Sequence, residues 1–317
     1  MNSKKWMVGL ALAASLGVTS AWANSVPKDL PYPQSTPTAD EVAKQVYFVN
    51  HFYSVKNFSI KRVSKKVITV LLSRSEGSKP KTNTVERHLN NDYDDGVIKG
   101  RDVAIFRSGK LRGTGMLITD FVDDAKSQSY SIWLPALRKI RRFAQPAHDD
   151  AWGGTDFTFG DVTLRKPQHE THELLGTETM NDCLMAMEIP KKHQNKYSKN
   201  IHGPDCSPKG RSVYKLKSTT LYSNWWYDYR ISLVDTQTFG DYRTEYFKDG
   251  KKIKIIDRAW TSMKLDDPRG LWWKYWYGKN LLTNHETMAS IPDEVAEWNS
   301  AMPGDFWSEK TLRKIKR

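Results

Sequence analysis

The sequence predicts a mainly β protein, one strongly curved antiparallel sheet with a few helices packed against it. Three observations carry that prediction. Aromatic residues make up 12% of a 317-residue chain that is 38% hydrophobic, and Trp, Tyr and Phe fit the pleated, half-buried surface of a strand. Beyond the first fifty or so residues the apolar positions recur mostly with period two, the signature of strands. No low-complexity tract, fixed-period repeat or mid-chain linker interrupts them, so the strands belong to one sheet, and a sheet that long must curl to cover itself.

Taken in order, the chain begins with a secretory signature. Lys4 and Lys5 precede an apolar run over residues 8–21, and Ala21-Trp22-Ala23 fits a cleavage site. The apolar run is shorter than the roughly 20 residues a membrane span needs. The expected organisation is a signal peptide over 1–23 cleaved after Ala23, an extended proline-rich leader over 24–37, and a single domain over 38–317. The protein is expected to work outside the cytoplasm, in the periplasm.

Thr38 with Glu41 three places on forms a capping box, and Val42, Val46, Val49 and Phe52 follow at helical spacing, predicting a helix over 39–55. Strands are then expected within 59–73 and over 82–90, 102–107 and 113–122. The stretch 130–161 reads as an alternating strand, a turn at Pro135, a cationic return strand, a Gly-Gly-Thr-Asp turn and an aromatic strand. A polar segment at 168–173 and a strand over 184–189 come next. Residues 191–210 form a long basic loop, with Cys183 and Cys206 near its ends. Further strands are expected over 212–222, 225–234, 242–247 and 251–260, the last two joined by a Lys248-Asp249-Gly250 hairpin turn. LWWKYWY is the densest aromatic run. Residues 290–298 read as a short helix and the tail from Ser308 as a basic amphipathic segment.

Two cysteines alone in an oxidising compartment read most simply as one disulfide, Cys183 to Cys206. The formal net charge of +13 favours anionic partners, and export excludes nucleic acid from them. Arg138, Lys139, Arg141 and Arg142 are the strongest basic cluster. It reads either as a site for an anionic headgroup or acidic partner, matched by arginine forks, or as a sheet edge protected by charge.

Catalysis finds no agent in the sequence. The chain has no G-x-S-x-G elbow, P-loop or dinucleotide fingerprint. His169-Glu170-Thr171-His172 spaces its histidines three apart, not the zincin four, and reads as a solvated loop. His148, Asp149 and Asp150, and Asp123 with Asp124, lack the further partners that acid-base or calcium chemistry requires. No enzyme activity, cofactor or metal is expected.

The motifs also resemble those of a known family. Arg112-Gly113-Thr114, the run WLPALRKIRR from Trp133 to Arg142, and the GTDFTFGD segment from Gly154 to Asp161 are similar to those of outer-membrane lipoprotein-sorting proteins with a LolA-like fold. Thr155 stands where that pattern has serine, and Phe159 where it has tyrosine. The resemblance implies an incomplete antiparallel β-barrel around a hydrophobic concavity with helices as a lid. It also implies a monomeric periplasmic carrier of lipidated protein, lipid or other hydrophobic cargo, working between an inner-membrane RND-type transporter and an outer-membrane acceptor. An accessory subunit of such an exporter, without a cavity, is the alternative. For the carrier, Met116, Ile118, Trp133, Phe143, Phe157, Phe159 and Trp226 are the expected cargo-facing residues, and Arg138, Lys139, Arg141 and Arg142 the headgroup or partner contacts.

Overall fold

The computed structural model describes residues 25–315; the signal peptide and its cleavage site lie outside the described residues. After an extended leader comes α1 (Ala39–Asn50), started by the Thr38–Glu41 capping box and buried through Val42, Ala43 and Val49. It ends five residues earlier than the periodicity predicts, because the chain turns at once and Phe52 adopts a φ of 55° that no helix accommodates.

Six strands then run up and down: β1 (Asn57–Ile60), β2 (Thr69–Ser75), β3 (Lys81–Asn90), β4 (Ile98–Phe106), β5 (Gly115–Phe121) and β6 (Ser129–Leu134), followed by β7 (Lys139–Phe143). The second series is β8 (Glu170–Thr179), β9 (Ser212–Thr220), β10 (Tyr229–Asp235), β11 (Asp241–Lys248), β12 (Lys251–Ser262), β13 (Leu271–Asn280) and β14 (His285–Ser290). A short β15 (Ala296–Trp298) pairs with β1, and α2 (Glu309–Arg313) lies near the C-terminus.

The sheet order is β7-β6-β5-β4-β3-β2-β14-β13-β12-β11-β10-β9-β8. Two meanders, β2 to β7 and β8 to β14, are therefore sewn together where β14 pairs antiparallel with β2. The sheet curves but does not close, so β7 and β8 are its two open edges. To pass from one edge to the other, residues 144–169 cross a face of the sheet as a strap. That face, which α1 also covers, is here called the inner face.

Both faces are covered. Strand parity puts Ala104, Phe106, Met116, Ile118 and Tyr130 inward, in the main core, while Val103, Ile105 and Leu117 face outward onto Trp307 and Leu312 of the C-terminal tail. Residues 180–211 cover the outer face of the second meander through Leu184 and Met187, and the Cys183–Cys206 disulfide staples that cover.

Four local expectations differ from the structure. Residues 184–189 are extended but make only the single Leu184–Asp205 bridge, since their apolar side chains are spent in covering the sheet. The polar segment at 168–173 instead opens a strand, β8, which tolerates polarity because it is an edge with Lys217–Glu173 and Lys215–Glu178 pairs across it. The stretch expected as an aromatic strand after Gly154 is a turn followed by one turn of π-helix, Gly160–Leu164. Residues 290–298 form a 3₁₀ turn and β15 in place of a helix.

Candidate functional site

The inner face is where aromatic and charged chemistry meet, and the strap organises it. Its turn is made by Gly153 and Gly154, with φ of 60° and 75°, where a side chain would be strained. Beyond the turn, two carboxylates pin it to the sheet. Asp156 accepts hydrogen bonds from Thr287 Oγ1 (2.6 Å) on β14 and contacts His285 Nδ1 at 2.6 Å. Asp161 accepts from Lys254 Nζ (2.7 Å) on β12, Tyr246 Oη (2.6 Å) on β11, Arg165 Nη2 (2.9 Å) and the Thr158 N–H (3.0 Å). Burial alone would raise the Asp161 pKa, but Lys254 and Arg165 hold it well below the usual carboxylate range.

Between these two pins Phe157 drops onto the sheet. Its ring meets Trp276 edge-on at 5.5 Å and lies where a Cβ on Gly278 would come within 2.8 Å of it. Under the strap an apolar cavity of about 40 Å³ is bounded by Leu71, Val85, Trp152, Phe157, Trp273 and Trp276. A second cavity of about 60 Å³ lies between α1 and the strap and has a mixed lining, with Arg165, Lys166, Arg230 and Arg258 beside Ala43, Val46 and Val162. Glu170, expected in a solvated loop, is buried beside it: Arg230 Nη2 donates to it at 2.6 Å and Tyr227 Oη at 2.9 Å. Burial opposes ionisation of Glu170, and Arg230 outweighs it, bringing the carboxyl down to about 2.

The expected cargo-facing residues fall in different places. Met116 and Ile118 are buried on the inner face of β5. Phe157 and Phe159 are buried on the strap itself, Phe159 edge-on to Tyr130 at 5.9 Å. Trp226 stacks on Tyr246 at 4.9 Å, with Lys254 Nζ 4.9 Å from its ring. Phe143 is half exposed at the end of the edge strand, paired with Tyr130. Trp133 is on the outer face, packed with Trp307 and Leu312.

The basic cluster sits at the β7 edge, with its cations exposed. Lys139, Arg141 and Phe143 share the inward parity, and Ile140 and Arg142 the outward one. Ile140 packs by Trp133, and Arg142 Nε reaches Glu309 at 2.9 Å. Together with Arg313 they line an open groove of about 630 Å³. Leu137, at the tip of the β6–β7 turn, is 52% exposed.

Sequence reasoning missed Lys254, Arg258 and Arg230. The signal was available: Lys254, Ile256 and Arg258 alternate on one side of a strand whose Ile256 is wholly buried, and a cation in register with a core isoleucine needs a buried partner. Asp123 and Asp124 gather no calcium ligands; Asp124 instead pairs with Lys166 at 2.6 Å. Among the described residues no three His, Cys, Asp or Glu side chains gather as metal ligands would.

A family model described only as "Uncharacterized protein" matches residues 100–202, from β4 across the strap and β8. No curated protein matches the chain in sequence. Among solved structures, an outer membrane lipoprotein-sorting protein domain of Vibrio parahaemolyticus, titled as putative, superposes with a TM-score of 0.62 at 13% identity. The match covers 87% of this chain and 98% of that one. A LolA superfamily protein of Nitrosomonas europaea gives 0.52 at 10% identity over 87% and 99%. The fold is LolA-like. A DUF1329 family protein of Desulfovibrio piger, with a TM-score of 0.62 at 13% identity over 87% of this chain and all of its own, shares this LolA-like architecture. In the present chain the two aspartates of the GTDFTFGD segment, Asp156 and Asp161, are the pins of the strap.

Proposed function

We propose that this protein is a periplasmic carrier without covalent chemistry, which holds the acyl part of a lipidated protein, lipid or similar hydrophobic cargo against the inner face of its sheet. One observation carries the reading. The aromatic inner face is covered by a single strap and one helix, not by a second sheet, so moving those two elements exposes the apolar patch around Trp273 and Trp276 beside the cations of β10 and β12. The solved structures of a lipoprotein-sorting protein domain and of a LolA superfamily protein support it by their shared fold. The present structure is then the closed form. Its apolar cavity of about 40 Å³ is far below the roughly 300 Å³ of an ordinary ligand site, so a chain binds only where Phe157 and Trp152 give way.

In this reading the cations of the β7 edge meet an anionic membrane surface or an acidic transporter, and cargo passes from an inner-membrane RND-type partner to an outer-membrane acceptor. Native mass spectrometry of protein purified from the periplasm, with titration of a fluorescent fatty acid, tests the carrier. Bound lipid or saturable uptake is expected; neither being seen overturns it.

The filled inner face favours a second reading, an accessory subunit that acts through its surface alone. Locking the strap separates the two. Asp156→Cys with Thr287→Cys joins side chains now in contact; a carrier loses its function in the cell when that bond forms, and a surface subunit keeps it.

A further inference from the structure

The two inner cavities differ in chemistry and meet at one residue. Val162, on the strap, lines both the apolar cavity under Trp152 and Phe157 and the cation-lined cavity beside α1. The cation-lined cavity is about 60 Å³, room for roughly four waters at 10–15 Å³ each, or for one small ionic group. Its walls carry four cations, each with a carboxylate partner: Arg165 with Asp161, Lys166 with Asp124, Arg230 with Glu170 and Arg258 with Asp241; Lys254 shares Asp161, so five cations face four carboxylates. His51 and His172, also in the wall, are pushed down by burial, His51 to about 3, and so stand neutral at ordinary pH.

Arg258 is the most telling of these. It is 4% exposed and ion-paired with Asp241 through Nη1, while its Nε has no hydrogen-bond partner. A buried N–H of a guanidinium left unpaired loses its water without gaining a partner, an uncompensated cost. An anion in the cavity would offset that cost and balance the one cation in excess, since Lys254 and Arg165 share Asp161.

Resting on the carrier reading, we infer that the inner face takes an acidic amphiphile with a single acyl chain. The chain lies under the strap, in the apolar cavity enlarged by displacement of Phe157, and a carboxylate or phosphate head sits among Arg258, Arg165 and Arg230. Val162 marks the joint between chain and head. The strap's own carboxylate, Asp161, makes room without leaving its cations bare, because the incoming anion shares them.

Three probes of equal chain length test this by titration against the purified full-length protein: hexadecanoate, hexadecyl phosphate and hexadecanol. At least one acid is expected to bind tenfold or more tighter than the alcohol, and the tighter acid identifies the head as carboxylate or phosphate. Arg258→Gln combined with Asp241→Asn neutralises the buried pair without stranding either partner; it is expected to bring acid and alcohol within threefold by a loss of acid affinity. Val162→Trp, which alters no charge, is expected to weaken every probe at least tenfold, and it serves as the independent variant if the double substitution fails to fold. Acid and alcohol binding alike overturns the headgroup site and leaves the carrier standing. Binding of none of the three overturns the carrier itself.

Discussion

The sheet is covered on both faces, and the two coverings are held in different ways. On the outer face the sheet's charges are neutralised within the sheet: Arg74 pairs with Glu286 at 2.6 Å and Arg243 with Asp257 at 2.7 Å. The covering segment 180–211 adds backbone groups to those pairs, the Glu188 carbonyl accepting from Arg74 and the Met185 N–H donating to Asp257, and a disulfide closes it on itself. On the inner face the covering strap carries the counter-charge. Lys254 of the sheet has Asp161 of the strap as its partner at 2.7 Å. Lifting the outer cover leaves paired charges behind, whereas lifting the strap leaves a cation alone. The outer cover thus adds to charges that are already paired, whereas the strap supplies the partner of a buried cation.

That contrast is open to experiment, beginning with the largest effect. Asp161→Ala strands Lys254 and Arg165 in a buried setting and is expected to cost about 3–5 kcal/mol in denaturant unfolding, with strap amides losing hydrogen-exchange protection first. A uniform loss across the sheet would show that strap and sheet are one cooperative unit. Reducing the disulfide, or Cys183→Ser with Cys206→Ser, is expected to cost about 3 kcal/mol through the freed loop. Here strap exchange stays as it was, and altered strap exchange would break the separation of the two covers.

Gly278→Ala pushes a methyl into the Phe157 ring and is expected to cost about 1–3 kcal/mol by overpacking, relieved in the double variant with Phe157→Leu. Acid acts on the inner side as well. The folded-state pKa of Glu170 is depressed from 4.5 to about 2 and that of Asp161 is depressed further. Their contribution is fully present above the unfolded carboxylate range and is lost as pH falls from about 4.5 through 2. A stability curve flat across that window would refute the assignment. Arg142→Ala, with Arg142 79% exposed beside Glu309, is expected to change stability by less than about 0.5 kcal/mol, while weakening adhesion to anionic vesicles.

Much of the architecture was legible in the sequence because strands with one buried face alternate. The run expected over 113–122 is β5, and LWWKYWY lies within β13. The Lys248-Asp249-Gly250 turn is present, with φ of 48° at Asp249 and 71° at Gly250. What escaped was the strap. Phe157 and Phe159 alternate as a strand would, yet the Thr158 hydroxyl and the Asp161 carboxylate bond each other's N–H groups. Such local side-chain bonding competes with a ladder. Polarity hid β8 for a similar reason, since an edge strand lacks the apolar face that betrays an inner one. The site was half visible: the aromatic and acidic motif stood out, but the Lys254 partner of its Asp161 lies far away in sequence on β12, and only the sheet brings it beneath the strap.

The seam between β2 and β14 has a consequence for how the molecule comes into being. Ser290 lies against Val70, so β2 finds its second neighbour only when nearly the whole chain is available. Each meander assembles from hairpins of neighbouring strands, which close quickly, whereas the seam is a long-range contact of the kind that slows folding. During that interval β2 is a bare sheet edge of mostly buried character, the type of surface that pairs with the wrong chain. The strap touches both meanders, Asp156 reaching Thr287 on β14 and Trp152 packing by Phe106 on β4, so its full set of contacts needs the two to be joined. A fully seated strap therefore reports that the sheet beneath it is complete.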